Sequence, residues 1–528
     1  MKSLLLFLFT FAATGAILPE LESAAKQMTP AGILKHIEVL ASDDFAGRFP
    51  GTPGEKKSVD YLVAQCRELK LEPGNPNGQY TQTVPLWGTR SKGTLTITGL
   101  KLEAGRDYVA WSARPDAQVR VKPTGVVFVG YGAIAPEHQW NDYAGANVRG
   151  KVVVILSGDP QVADAKDPGK LDERYFQGRA LTYHGRTGTK LDRAFTQGAA
   201  AVIILYTALP GPSLFQNFGR ENMILRGPDE RKRVQAQALL SIEHSPPLFA
   251  AAGLDFLTLR VAAARPGFRA VELKAKAGFD IRTAVRRIDS PNVVAKITGS
   301  SPELVVYSAH WDHHGQEGDR IYHGASDNAA GTAGVLELAR ALRTTKPRRT
   351  ILFLWPTAEE KGLLGAKYYV EHPLYPLSAT VANINLDYFS NWGWGRTRDF
   401  SIVGLGNSTL DDLTAEAVAR QGRVVTGDTF PEQGFYFRSD HFEFARLGVP
   451  SLETAPGIDY VGQPLEYGLR KRAEYITKDY HQVSDVPKPD WDLSGAVEDL
   501  EVLLEVGYRV AMATERPAWK PDAVWRPR

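Results

Sequence analysis

Val305-Val306-Tyr307-Ser308-Ala309 runs straight into His310-Trp311-Asp312, Ile351-Leu352-Phe353-Leu354-Trp355 leads to Glu359-Glu360, and Val381-Ala382-Asn383-Ile384-Asn385-Leu386 ends on Asp387. Short apolar runs of this length, rich in β-branched and aromatic residues, read as buried strands. Helical spacing lies between and after them. Gly331 to Leu342 puts Val335, Leu338 and Leu342 on one face, and further helices are expected over Leu410 to Arg420 and Ser494 to Ala511. Strands alternating with helices predict an α/β fold: a mostly parallel, mixed sheet flanked by helices on both faces. In such sheets, sites form beyond the carboxyl ends of the strands. His310, Glu359, Glu360 and Asp387 all fall at such ends, which is why residues so distant in sequence are expected to converge.

Upstream, Asn292 to Ile297 reads as one more strand, and amphipathic helices are expected over Ala31 to Leu40 and Glu55 to Leu69. Between those helices lies the loop Phe45-Ala46-Gly47-Arg48-Phe49-Pro50-Gly51-Thr52-Pro53-Gly54-Glu55. Composition shifts near Pro123, where Gly125 to Val129, Lys151 to Leu156 and Ala199 to Tyr206 read as buried strands. Few catalytic groups occur there, so residues 123–271 are expected to form an inserted, β-rich domain. It would separate residues 17–122 from 272–528, the two parts of the principal domain. Gly145 to Lys151 has the spacing of a phosphate loop, but Val152 stands where a Ser or Thr would bind magnesium, and the glycines precede the strand; the context excludes a nucleotide site.

The 528 residues are 43% apolar and 23% charged, with a net charge of +2 and no dense basic block, so nucleic acid is not an expected partner. Cys66 is the only cysteine, which excludes an internal disulfide and a cysteine zinc site. At the N-terminus, Lys2 precedes an apolar core from Leu4 to Ala13, with small residues at Ala13, Gly15 and Ala16. Residues 1–16 therefore read as a cleavable export signal, too short to span a bilayer. A secreted or periplasmic protein without stable membrane insertion is expected.

Any metal here must be held by His, Asp and Glu, and a mixed imidazole–carboxylate set suits zinc. Two zinc ions sharing a bridging carboxylate need one bridge and two further protein ligands each. Asp327, in a turn of small residues, could bridge; His310, Asp387, one of Glu359 and Glu360, and a second His could complete the set. Adjacent glutamates at a strand end point in different directions, so one can bind metal while the other serves as general base.

Six pieces then carry a resemblance: His310-Trp311-Asp312, Ser326-Asp327-Asn328-Ala329-Ala330-Gly331, Thr357 to Gly365 with Glu359-Glu360 inside it, Asn385-Leu386-Asp387, Arg438-Ser439-Asp440-His441, and Tyr480-His481-Gln482-Val483-Ser484-Asp485. In this order the chain resembles the M28 family of co-catalytic zinc peptidases, which includes secreted bacterial aminopeptidases and glutamate carboxypeptidase II-type enzymes. The resemblance implies the zinc exopeptidase fold and two zinc ions per chain, with His310 and Asp387 on one, Glu360 and His481 on the other, and Asp327 bridging. It implies Glu359 as general base to a metal-bound hydroxide, Asp312 as the group orienting the His310 ring, Tyr480 as an oxyanion donor, and a cis peptide at Asp327-Asn328. The middle block, through Tyr143 to Ile155 and Gly198 to Ile203, resembles a protease-associated (PA) domain, usually a lid over substrate access.

Other histidines are read more plainly. His313 and His314 are expected to face solvent or line the pocket, His323 to form a local hydrogen bond, and His441 to be structural or to form pocket wall. The resulting expectation is an exported aminopeptidase acting on peptides; a carboxypeptidase, or another amide hydrolase or cyclase on the same two-zinc site, is the alternative. A carboxypeptidase would need cations such as Arg396, Arg398 or Arg438 for a C-terminal carboxylate. No Gly-x-Ser-x-Gly elbow and no His-Glu-x-x-His motif occurs.

Overall fold

The structure is a computed structural model that describes residues 17–206, 219–387, 393–523 and 525. The export-signal reading of residues 1–16 and most of the aromatic run from Tyr388 to Trp394 lie outside the described residues. The chain divides into two compact units. One comprises the chain up to Val84, Ser290–Thr429 and the chain from Ser439 onward; the other comprises Pro85–Asp289 and Phe430–Arg438.

In the first unit a mixed sheet forms from the expected runs. Ser301–Ser308 lies between Arg349–Trp355 and Thr380–Asn385, parallel to both, and Ser451–Pro456 continues the parallel set beside Thr380–Asn385. Antiparallel pairs close the two sides: Val293 to Ile297 against Arg349–Trp355, and Asp399–Val403 against Ser451–Pro456, with Val424–Gly427 parallel at the edge. Alternate side chains go to opposite faces, as strand geometry requires. Val305, Tyr307, Phe353 and Ile384 pack with the helices Pro30–Leu40, Gly331–Leu342 and Ser494–Met512. Leu304, Val306, Leu352 and Leu354 pack with Tyr369, Val370 and Phe444, on the helices Leu364–Glu371 and His441–Ala445. Both faces being covered, the strands read as continuous apolar runs rather than alternating ones.

Local signals set the helix bounds. Thr29 Oγ1 accepts from the Gly32 amide at 3.0 Å and Pro30 opens the first of these helices, a regular cap with proline in the first turn. The second runs Pro53–Glu68, two residues earlier than its apolar pattern suggested, because Pro53 suits the first helical turn. Ser494–Met512 comes close to the sheet at Gly507, where an added Cβ would lie 1.7 Å from the Tyr307 hydroxyl oxygen. That hydroxyl donates to the Leu503 carbonyl at 2.8 Å.

The second unit contributes further strands. Gln118–Phe128, Val152–Leu156, Ala201–Tyr206 and Ala236–Ser241 are successive parallel neighbours, Tyr108–Ser112 adds an antiparallel edge, and Val271 to Arg282 lines the other side. The helices Thr187–Thr196, Ser245–Ala250 and Phe256–Ala263 accompany it, so the unit is α/β. It is also wider than the 123–271 block expected from composition. Tyr108–Ser112 lies ahead of the composition shift, yet it adds to this sheet by pairing with Ala236–Ser241. No helix among the described residues is long and apolar enough to cross a membrane.

Candidate metal centre

The three central parallel strands end together: Ser308 is in register with Leu354 on one side and Asn385 on the other. His310, Glu359 and Asp387 therefore leave the sheet from one edge. Thr332 Oγ1 donates to the His310 carbonyl at 2.8 Å, tying that loop to the first turn of Gly331–Leu342. Arg48, fully buried, donates to the carbonyls of Trp311 (2.8 Å), Gly324 (2.9 Å), His323 (2.5 Å) and Leu40 (2.7 Å). One guanidinium thus fastens the loop after His310 to the loop before Asp327. Burial lowers its pKa, against the raising charges of Asp485, Asp327, Asp312 and Glu360, only to about 10, so it stays charged at neutral pH.

Asp327 sits in a turn entered through Gly324, at φ 59°, and its peptide bond to Asn328 is cis. The Asp485 carboxylate accepts the amides of Ser326 (2.9 and 3.2 Å) and Asp327 (3.1 Å). Asn328 Nδ2 donates to the Leu386 carbonyl at 2.9 Å, joining this turn to the loop carrying Asp387. Gly331 passes so close that a Cβ would lie 2.0 Å from the same carbonyl oxygen. Glu359 and Glu360 open a short turn, Glu359–Lys361, entered through Ala358 in the left-handed region. His481, itself at φ 59°, stacks on Tyr480 with ring centroids 3.8 Å apart and planes 25° apart.

These elements bring the side chains into two groups joined by one carboxylate. His310 Nε2 lies 2.9 Å from Asp387 Oδ1 and 3.4 Å from Asp327 Oδ1. The other oxygen of Asp327 lies 3.1 Å from His481 Nε2, which is 3.3 Å from Glu360 Oε2. His310, Asp327 and Asp387 form one set whose donor atoms could hold a metal ion; His314, Glu360 and His481 form a second, and His313, Asp327 and Glu360 a third. Both ring nitrogens of His314 and Nε2 of His313 are buried without a hydrogen-bond partner. Buried polar atoms left this way are costly. A cation would satisfy them, and nitrogen with carboxylate oxygen is a zinc-type donor set. The residues fit the two ions that the motifs imply.

Electrostatics separate the two glutamates. Burial, reinforced by the charges of Asp387 and Glu360 against that of His310, pushes the Glu359 carboxyl well above the usual range. Burial also opposes ionisation of Glu360, but the imidazoles of His314 and His481 overcome it and hold Glu360 low. Asp327 is likewise held well below its ordinary value against burial, through its bonds to His310 and His481. Burial depresses His310, yet the carboxylates of Asp387 and Glu359 raise it well above an ordinary histidine. Their surroundings thus push two neighbouring carboxyls in opposite directions, the pattern that suits one to proton transfer and the other to a cation.

Asp312 stands beside His310, with a division of labour the motif did not reveal. Its main-chain carbonyl is 3.1 Å from His310 Nδ1, while its carboxylate is 3.8 Å away and accepts the Glu359 amide at 3.0 Å. Burial pushes that carboxyl up to about 7. His313 and His314 are not solvent-facing: both are buried against Glu360, with His313 Nδ1 2.6 Å from Oε1 and His314 Nε2 3.4 Å from Oε2. Two consecutive residues reach the same carboxylate because the loop after Asp312 turns inward before Gly315, at φ 80°. His323 does hydrogen-bond, but to Asp43 at 2.7 Å, a residue distant in sequence. His441 is buried 3.2 Å from Glu453, which also accepts from Asn385 at 2.7 Å. The supporting roles of Arg48, Asp485 and Glu453 were not foreseen. Their signal was weak: Arg48 and Glu453 are charged residues inside or just after a glycine-rich or apolar stretch, and Asp485 closes the polar run from Tyr480.

An α/β sheet with imidazoles and carboxylates gathered at its parallel strand ends defines the class of a metal-dependent hydrolase. The family model described as Peptidase family M28 matches residues 292–504. Aminopeptidase YwaD of Bacillus subtilis (strain 168) is 38% identical over 417 residues, which cover 78% of this chain and 72% of that protein. The chain belongs to peptidase family M28. A probable leucine aminopeptidase of Trichophyton verrucosum (strain HKI 0517) is 30% identical over 209 residues, so the match spans 37% of this chain and just over half, 56%, of the fungal protein. Among solved structures, the aminopeptidase from Aneurinibacillus sp. strain AM-1 has a similar fold, with a TM-score of 0.55 at 18% identity over 96% of this chain and 99% of that one.

Proposed function

We propose that the protein is an exported zinc-dependent aminopeptidase that removes N-terminal residues from peptides. The observation that carries this reading is the Asp327 carboxylate, one oxygen toward His310 and the other toward His481, with Asp387 and Glu360 on the two sides. In this reading His310 and Asp387 hold one ion, Glu360 and His481 the other, and Asp327 both. Zinc supplies Lewis acidity when bound, making water a nucleophile near neutral pH and polarising a peptide carbonyl.

The chain's own residues do the rest. Glu359, buried and with its carboxyl pushed up, takes a proton from the attacking water. As the C–N bond breaks, it returns that proton to the leaving amine. Asp312 fixes Glu359 by accepting its amide, and Asp312's carbonyl holds the His310 ring in place, the support that ligating histidines use. Tyr480, stacked on His481, is the proposed donor to the oxyanion. Two of the arginines that a C-terminal carboxylate could use are already paired, Arg396 with Glu498 at 2.5 Å and Arg398 with Asp459 at 2.9 Å, which favours amine over carboxylate recognition. The relatives named aminopeptidase support the same choice. Residues 1–16 are the proposed export signal, and residues 123–271 are proposed to be a PA-like inserted domain.

The test is a panel of aminoacyl anilides, their N-acetylated forms and C-terminally free acyl dipeptides. Hydrolysis confined to free-amine substrates, lost on metal depletion and restored by zinc, is expected. Turnover of the N-blocked peptides alone would replace the aminopeptidase reading by a carboxypeptidase one.

A further inference from the structure

The motif accounts for two protein donors beside Asp327 on each side of the cluster, yet the Glu360 side holds more imidazole than that. His314 Nε2 is 3.4 Å from Glu360 Oε2, the oxygen that His481 Nε2 approaches at 3.3 Å. The two rings meet edge to face with centroids 4.3 Å apart. Donor atoms of His314, Glu360 and His481 lie within 4.8 Å of one another, the span of a common metal-binding set. His314 is buried, and neither ring nitrogen has a hydrogen-bond partner. A buried imidazole with both nitrogens unsatisfied is costly unless something else engages it. His313 is placed differently: its Nδ1 faces Glu360 Oε1 at 2.6 Å, and its donor set omits His481.

We propose that His314 is a third protein donor, beside Glu360 and His481, to the ion on that side, and that the two subsites are therefore chemically unequal. The proposal rests on the two-ion reading above. The Glu360 side, with two imidazoles, takes ions that favour nitrogen, such as zinc, nickel or cobalt. The His310 side, with one imidazole and two carboxylates, also accepts manganese. The protein then binds its ions in two separable steps and forms mixed zinc–manganese species, zinc on the Glu360 side.

Metal-depleted full-length protein titrated with zinc against a chromophoric chelator, and with zinc in excess manganese, tests this. Wild type should bind two zinc ions with distinct affinities and keep one zinc under manganese. His314→Leu should weaken the retained ion by roughly tenfold or more, since even groups that only support a ligand cost 10- to 100-fold, and leave the other within about twofold. Two ions bound, with both affinities unchanged in His314→Leu, would overturn the role of His314 and leave the two-ion reading intact; fewer than two ions in wild type would overturn both. Because the variant could misfold, cobalt-substituted wild type supplies a second readout. Its proton spectrum should show three exchangeable, hyperfine-shifted imidazole N–H signals, from His310, His481 and His314. Two such signals would contradict the proposal.

Discussion

Glu359 and Glu360 are chain neighbours in one short turn, and their surroundings pull them apart. Glu360 faces His313, His314 and His481, while Glu359 lies 3.8 Å from His310 Nε2 and is pushed up by burial. A carboxyl whose proton affinity is raised can take a proton from water and hand it back; one held low suits a cation. Glu359→Gln keeps the shape and the main-chain hydrogen bond donated to Asp312 but cannot carry the proton. It should retain its metal by elemental analysis while kcat falls by about 10²- to 10⁴-fold, the usual contribution of such a group. Near-normal turnover would assign the proton to another residue. Glu360→Gln should behave in the opposite order, losing metal first.

Elements place these residues through close approaches that leave little room. Helix Gly331–Leu342 starts where a Cβ would collide with the Leu386 carbonyl, one residue before Asp387. Gly331→Ala should push the helix off the loop and cost about 1–3 kcal/mol, typical of overpacking, read as a lower urea midpoint, with weaker metal retention because Asp327 and Asp387 share that contact. This is also the scale at which the sequence was most and least legible. Apolar runs ending in His310, Glu359 and Asp387 announced parallel strands and their shared edge, because burial on both faces leaves an unmistakable pattern. The inward loop that buries His313 and His314 was illegible, since its direction depends on Gly315 and on the carbonyls gathered by Arg48 rather than on any local period. The extent of the middle unit was hidden for a related reason: Tyr108–Ser112 joins its strands by pairing with one more than a hundred residues away.

At the scale of the whole molecule, the two units answer to different conditions. In the unit built from Pro85–Asp289, His184 is clasped between Glu137 (2.7 Å) and Arg193. Burial, then the Arg193 charge, brings it down from 6.5 to about 4. Between those values the unfolded chain takes up a proton that the folded one refuses, so stability rises with pH. The penalty is absent above about 6.5 and complete below about 4, worth roughly 3 kcal/mol at 1.36 kcal/mol per pKa unit. Urea unfolding from pH 7 to 4 should show this fall in wild type and a flatter slope in His184→Gln; equal slopes would mean that His184 titrates normally. The other unit should answer to metal: an ion that binds only the folded state at 100 times its dissociation constant adds about 2.7 kcal/mol. Calorimetry before and after chelation should therefore lower the melting of the unit carrying His310 and Asp327.

The account turns on where the ions bind. Anomalous diffraction at the zinc edge from crystals of the zinc-loaded protein addresses that directly. Two peaks about 3.5–4 Å apart, the usual spacing of paired catalytic ions, are predicted on either side of Asp327, one beside His310 and Asp387 and the other beside Glu360 and His481. A single peak, or two that leave Asp327 out of contact with either, would contradict it.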